Sequence, residues 1–323
     1  MNKPRVIVTQ RTTHEGLLAE LSRLDEHCDV RRASGAALTH DELKNWLQDA
    51  EGWITGGEKI DAQLLESAQK LRVICQPSVG YDNIDVAACT SRHIRIGNTP
   101  GVLTEATADL GYGLLLAAAR KITEGWDYVR GGDFGRGEAF PFGVDLYDKI
   151  LGIVGMGQIG VAIARRARAS GMRIIYHNRK ESAQAGELQA RYVDMNELLT
   201  ESDFVLLLTP LTPDTRKLIG AEQFTLMKKT AFLINMARGL VVDTDALVHA
   251  LQTGKIAFAA LDVTDPEPLP ADHPLLKMDH VLISPHIGSA TNETRTRMER
   301  LTVDNLLAGI FGRPMPQCVN PDA

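Results

Sequence analysis

Aromatic residues make up only 5% of this 323-residue chain, and cysteine occurs just four times. Cys28, Cys75, Cys89 and Cys318 lie far apart with no C-x-x-C pair, which indicates neither a disulfide scaffold nor a cysteine zinc site. So few aromatics argue against a lectin-like surface or an aromatic-rich sandwich. No uncharged apolar run reaches bilayer-spanning length, and the apolar run after Arg5 is too short for a signal-peptide core. With 35 basic and 41 acidic residues, the net charge of -6 lacks the positive field that general nucleic-acid binding requires. These exclusions leave a soluble, cytoplasmic chain with no nucleic-acid or membrane partner. What is present in quantity is hydrophobic residue (44%) and glycine (28 residues). At ordinary domain sizes, the length suggests two domains.

Short β-like runs alternate with helical stretches throughout, which implies right-handed crossovers and an α/β fold with mostly parallel sheets. In the first hundred residues strands are expected near 7–10, 53–55, 71–76 and 94–98, with helices near 13–24, 40–50, 61–68 and 84–92. A long apolar helix is expected over about 104–128, with Thr104 as its N-cap and Glu105 in its first turn. The glycine-rich stretch from Arg130 to Asp148 reads as an irregular excursion. From Lys149 the alternation resumes, with strands near 150–155, 173–177, 203–209, 230–236, 258–263 and 281–286. Helices fall near 158–169, 195–200, 221–227 and 243–252, and a last one near 291–310.

The best local motif is Gly155-Met156-Gly157-Gln158-Ile159-Gly160, between a strand and a helix. That context suits a dinucleotide: Gly155 for the tight turn, Gly157 for backbone approach to the pyrophosphate, Gly160 for close helix–strand packing. The helix N-terminus adds open N–H groups and a favourable field for the anion. At the end of the next strand, NAD sites carry an acid for the ribose hydroxyls. Here the sequence is His177-Asn178-Arg179-Lys180, with Asn178 where the acid is expected and two cations beside it. Arg179 and Lys180 suit a 2'-phosphate, so NADPH is the preferred cofactor and NADH the second choice.

Three titratable residues follow strand ends in the second half: Arg238 in NMARG, Glu267 in DVTDPEP and His286 in VLISPH. In an open α/β sheet such positions face the ligand crevice. A carbonyl that accepts hydride needs a proton, and imidazole, with its ordinary pKa of about 6.5, suits its delivery. Glu267 can fix the ring's tautomer, and Arg238 can grip an α-keto acid's carboxylate and polarise its carbonyl. His273, His280 and His286 share no compact ligand spacing, so no metal is expected. In the first half, Ser78-Val79-Gly80-Tyr81-Asp82 follows a strand, where the Val79 and Gly80 N–H groups form either an anion nest or an ordinary glycine turn. Tyr81 and Asp82 are candidate caps for the next helix, and Lys59 in GGEKID is a weaker anion candidate.

Taken in order, GIVGMGQIG, NMARGLVVD, LDVTDPEPLP and SPHIGSAT resemble the D-isomer-specific 2-hydroxyacid dehydrogenases over essentially the whole chain. SVGYDNID, NTPGVLTEATAD, ESDFVLLLTPLTPDTRKLIG and HIGSATNETRTRM are most similar to the glyoxylate/hydroxypyruvate reductases, some of which also reduce 2-keto-D-gluconate. The resemblance implies two Rossmann-like domains with the active site in the cleft between them. The substrate domain is built from about 1–102 and 289–323, and the cofactor domain is inserted as about 103–288. It implies a homodimer joined through the cofactor domains. It makes Arg238 the substrate arginine, Glu267 the acid paired with histidine, His286 the proton donor, and Val79 and Gly80 the carboxylate grip. Asp262 falls near the nicotinamide carboxamide, and Thr209 and Pro210 on the adenosine side; Ala237, His286 and Gly288 complete the cofactor's wall. Relatives often carry a tryptophan in the loop before the cofactor strand. Here the nearby indole is Trp126, and Phe140 or Phe142 is the candidate substitute. The same fold with NAD and another substrate, such as phosphoglycerate or formate, is the alternative enzyme. A non-catalytic dinucleotide sensor is the alternative of a different class.

Overall fold

The structure, a computed structural model, describes residues 3–137 and 139–323. The chain forms two compact units: Thr104–Gly288, and a discontinuous unit made of Met1–Leu103 with Ser289–Ala323.

The N-terminal part of the discontinuous unit holds a five-stranded parallel sheet. Its strands are β1 (Arg5–Val8), β2 (Asp29–Arg32), β3 (Gly52–Ile54), β4 (Val73–Cys75) and β5 (Arg95–Gly97), in the order β2-β1-β3-β4-β5. Both faces are apolar at period two. Ile7, Trp53, Ile74 and Ile96 point into one core, and Val6, Val8, Ile54, Val73 and Cys75 into the other. Burial on both faces is what parallel strands require. Helices α1 (Glu15–Ser22), α2 (Leu24–His27), α3 (His40–Leu47), α4 (Ala62–Leu65) and α5 (Val86–Ser91) connect them. Just past the first strand, the Thr9 hydroxyl oxygen accepts from the Trp53 indole N–H and the Gly56 N–H. The helix expected over 13–24 is broken at Arg23, and β2 follows it unforeseen, since an edge strand with the pattern exposed, half-buried, exposed, half-buried carries little apolar signal. The cap of α5 is Asp85, which accepts from the Ala88 N–H at 2.9 Å, rather than Tyr81 or Asp82.

The second unit opens on α6 (Thr104–Arg120) and α7 (Ile122–Arg130), two helices where one was expected. Lys121 takes a left-handed conformation, φ 52°, and that turns the chain. Thr104 is the first helical residue rather than the cap. Then come β6 (Ile150–Val154), α8 (Gln158–Ala169), β7 (Arg173–His177), β8 (Arg191–Tyr192), α9 (Met195–Glu201) and β9 (Phe204–Leu207). The unit closes with α10 (Ala221–Leu226), β10 (Phe232–Asn235), α11 (Thr244–Gln252), β11 (Phe258–Leu261) and β12 (Val281–Ile283). The sheet is parallel in the order β12-β11-β10-β9-β6-β7-β8. The two-residue β8 escaped the sequence because both its residues are exposed. Strand order reverses between β6 and β9, the switch point beside which open α/β sheets bind ligands.

The chain then returns as α12 (Asn292–Ile310), whose Val303, Leu306, Leu307 and Ile310 close the core over Val6, Val8 and Ile54. Among the described residues, no helix is long and apolar enough to cross a membrane.

Candidate active site

Arg238, Glu267 and His286 follow the carboxyl ends of β10, β11 and β12, three neighbours in one sheet. His286 Nδ1 lies 2.7 Å from Glu267 Oε1. This hydrogen bond, chiefly, holds the Glu267 carboxyl below its ordinary range, with the charges of His286 and Arg238 and the Thr264 N–H in support and burial opposing. An ionised carboxylate only accepts, so Nδ1–H is the donor and Nε2 is the nitrogen left to exchange a proton.

The histidine's main chain is held with equal care. His286 has φ 53°, an unusual conformation for a residue with a side chain. Its N–H donates to the Asp262 carbonyl at 2.9 Å. The Asp262 carboxyl oxygens accept from the Ser284 hydroxyl at 2.6 Å and from the Ile287 and Gly288 N–H groups at 2.9 Å each. Asp262 is 3% exposed, so its partners are loop donors rather than water. The sequence marks Asp262 only by resemblance; this bracing of the histidine loop was not legible there.

Arg238 is placed by a similar device. The buried Asn235 accepts from the Ala237 N–H at 3.0 Å and donates to the Arg238 carbonyl at 3.0 Å, and Arg238 Nη1 donates to the Ala237 carbonyl at 2.9 Å. A Cβ on Gly239 would lie 1.9 Å from the Thr264 carbonyl oxygen. Only glycine lets the arginine's turn rest against the loop that leads to Glu267.

The glycine loop lies further along the same sheet edge. Gly155 adopts φ 97°, and a Cβ there would meet the Thr209 nitrogen at 2.8 Å, so β6 can turn against the end of β9 only as glycine. A Cβ on Gly160 would come within 3.1 Å of the Gly155 carbonyl, whereas at Gly157 it would meet nothing within 4 Å. Gly157 caps α8 without a side-chain bond, so the first helical N–H groups face open space, as a dinucleotide's phosphates require. The Thr209 hydroxyl is buried without a partner at the end of β9, a second sign that this crevice is shaped for a polar ligand. Asn178, which stands just past β7, is engaged by the glycine loop. It accepts from the Met156 N–H at 2.7 Å and donates to the Met156 carbonyl at 3.3 Å, tying β7 to the loop. Arg179 and Lys180 are exposed, and neither forms a side-chain hydrogen bond or ion pair among the described residues.

In the discontinuous unit, the 76–83 loop turns its carbonyls into the protein. Gln76 donates to the Gly80 carbonyl at 2.9 Å and Asn98 to the Val79 carbonyl at 3.0 Å, while Gln76 and Asn83 bond reciprocally. The Val79 and Gly80 N–H groups have no acceptor among the described residues. Lys59 is solvent-exposed and pairs with Asp61 at 3.2 Å. Phe140 packs on Tyr128, while Phe142 is 98% exposed and Trp126 61%. Among the described residues no group of His, Cys, Asp or Glu is placed to hold a metal.

This arrangement, a glycine loop at a sheet switch point with an Arg, a Glu–His pair and an Asp brace past adjacent strands, defines a nicotinamide-dependent oxidoreductase. The chain belongs to the D-isomer-specific 2-hydroxyacid dehydrogenases, and residues 112–288 match that family's NAD binding domain. It is 45% identical to the glyoxylate reductase of Korarchaeum cryptofilum, over 99% of this chain and 97% of that one. It is 47% identical to glyoxylate/hydroxypyruvate reductase B of Escherichia fergusonii, over 93% and 94%. Among solved structures it is similar to the NADPH-dependent glyoxylate/hydroxypyruvate reductase of Sinorhizobium meliloti in complex with NADP and malonate. The TM-score is 0.88 at 33% identity, covering 99% of this chain and 98% of that one.

Proposed function

We propose that the protein reduces glyoxylate to glycolate, and hydroxypyruvate and 2-keto-D-gluconate to the corresponding D-2-hydroxy acids, using NADPH in preference to NADH. The observation that carries this reading is the His286–Glu267 hydrogen bond of 2.7 Å beside Arg238 at one sheet edge. The names of the relatives supply the substrate class.

The bound nicotinamide supplies hydride to the substrate's C2. Arg238 holds the carboxylate through two N–H groups and draws electron density from the carbonyl oxygen. The open Val79 and Gly80 N–H groups are a carboxylate grip of the discontinuous unit, which is the substrate domain. His286 delivers a proton from Nε2 to the forming alkoxide while Glu267 stabilises the imidazolium. Arg179 and Lys180 receive the 2'-phosphate, and Thr209, Pro210, Ala237 and Gly288 form the wall around the rest of the dinucleotide. In α7, Ile122, Trp126 and Val129 present an exposed apolar stripe at helical spacing, and we place the homodimer contact there. Sedimentation at micromolar concentration reading a monomer would refute that contact.

The decisive measurement is NADPH oxidation across glyoxylate, hydroxypyruvate, 2-ketogluconate and pyruvate, with His286→Gln as the control. Turnover of the first two that collapses in the variant supports the reading; equal turnover in the variant overturns it. Changing Arg179 and Lys180 together to alanine should weaken NADPH far more than NADH. An unchanged ratio defeats the 2'-phosphate assignment.

A further inference from the structure

The discontinuous unit contains a cavity of about 490 Å³ whose basic lining the uncharged tails of hydroxypyruvate and 2-keto-D-gluconate leave unexplained. Its walls are residues 10–12 after β1, residues 55–57 after β3, the Gln76–Ser78 segment and the first turn of α12. Ser78 is shared with the loop that bears the open Val79 and Gly80 N–H groups, so the cavity begins beside the proposed carboxylate grip.

Its polar groups are incompletely satisfied. Arg295 lines the cavity, is half-buried, and its guanidinium makes no hydrogen bond or ion pair among the described residues. Burial pushes that guanidinium's pKa down, which measures the cost of keeping its charge there. Its donors are partly withdrawn from water and held by no protein acceptor among the described residues, so an oxyanion entering the cavity finds them open. Arg295 also sits in the first turns of a 19-residue helix, where the helix field disfavours a cation and favours an anion. Arg11 and His14 line the same space, and no carboxylate does among its described lining residues. Glu58 stands behind the wall, where it accepts from the Thr55 hydroxyl and the Gly56 N–H, and Glu299, the acid that acts on Arg295, is fully buried behind Gln10, whose Nε2 donates to it at 2.8 Å. Burial pushes Glu299 up to about 7, so at neutral pH it is an incomplete counter-ion for Arg295. Gln10 Oε1 and Glu299 Oε1 are themselves buried without donors. In a chain of net charge -6, this cavity is a local exception shaped for negative charge.

We propose that the cavity is a subsite for a second anionic group, a carboxylate or a phosphate ester at the far end of a longer 2-keto acid, and that Arg295 is its specificity-determining residue. The proposal rests on the 2-keto acid reading above, with the C1 carboxylate at Val79 and Gly80 and the tail reaching past Ser78. A planar guanidinium matches either oxyanion with two parallel N–H bonds.

The test compares substrates of matched length on the full-length protein: oxaloacetate against 2-ketobutyrate, and phosphohydroxypyruvate against hydroxypyruvate. In at least one pair the dianion should be favoured by about tenfold or more in kcat/KM, expressed mainly in KM. The pair that responds identifies carboxylate or phosphate as the recognised group. Arg295→Met should cut that preference by about tenfold, and Arg295→Lys should restore part of it. A wild-type preference at or below one in both pairs, or a ratio unchanged in Arg295→Met, overturns the proposal. Calorimetric titration with succinate and with inorganic phosphate reads the subsite without turnover. Binding of one of them that disappears in Arg295→Met supports it, and equal binding in the variant or none in the wild type refutes it. Failure to reduce any 2-keto acid, alongside Arg295-dependent binding, would overturn the reductase reading and leave the anion site standing.

Discussion

The carbonyl of Asp262 accepts the backbone N–H of His286 at 2.9 Å, while the Asp262 carboxyl oxygens take the next two N–H groups. One buried acid thus fixes the histidine's main chain in the left-handed region that its sequence neighbours do not explain. Asp262→Ala should strand three donors, of which the Gly288 N–H is buried and costs about 1–3 kcal/mol, while the Ser284 hydroxyl and Ile287 N–H are only partly buried and cost less. A fall in melting temperature and a kcat reduced by roughly 10–100-fold are expected, with Asp262→Asn intermediate. Calorimetry and steady-state kinetics check both; an unchanged kcat would mean that the brace is dispensable.

Glu267 acts on the ring rather than the backbone. Its carboxyl pKa is depressed chiefly by the His286 hydrogen bond, so the pairing persists through the ordinary carboxylate range and is lost only as pH falls through the lower folded value. Wild-type reduction should therefore show no acid limb from this group above about pH 4.5. Glu267→Gln should lower kcat by roughly 10–100-fold while leaving NADPH affinity within about threefold. A pH profile and a cofactor titration separate the two effects.

Two glycines make a controlled pair. An added methyl at Gly239 would fall 1.9 Å from the Thr264 carbonyl oxygen, whereas at Gly157 it would meet no protein atom within 4 Å. Gly239→Ala should depress both the melting temperature and activity. Gly157→Ala should melt like the wild type yet bind NADPH about tenfold or more weakly, because the methyl occupies the approach to the helix N-terminus. Equal behaviour of the two variants would refute the distinction.

Glu299 predicts an unusual pH dependence of stability. Facing it are Gln10, Arg295 on its own helix, and Glu20 from α1, which is itself paired with Arg23 and Arg300. A carboxyl raised from 4.5 to about 7 binds protons more tightly folded than unfolded, so its contribution falls as pH rises from the unfolded value to the folded one. The full difference is about 3 kcal/mol. Glu299→Gln should gain in melting temperature relative to the wild type between pH 5 and pH 8. A constant difference across that range would show that Glu299 does not titrate there.

The sequence revealed the sheets because most of their strands centre on apolar residues buried on both faces, as Phe204–Leu207 and Phe232–Ile234 are. It hid β2 and β8, whose exposed edges look like loops, and the turn at Lys121, which no glycine or proline announces. Arg238, Glu267 and His286 stood out because their chemistry and their places past strands agree. Asn178 was read by its neighbours' charge, but its amide is engaged by Met156, a contact visible only once β6 and β7 pair. Gly239 was one glycine among 28, and Glu299 sits in TRTRMERL, which reads as a solvated helix face. Close approach and burial are properties of the folded chain, and residue type alone does not encode them.

The discontinuous unit also sets an order of assembly. Residues 104–288 leave the ribosome as a continuous segment with all seven strands of their sheet, so that unit can complete its core while synthesis continues. The strands β1 to β5 are made first but lack one cover, because Val303, Leu306 and Ile310 on α12 arrive last. That sheet is therefore made before the helix that seals it, and its Val6, Val8 and Ile54 face stays uncovered until α12 is synthesised.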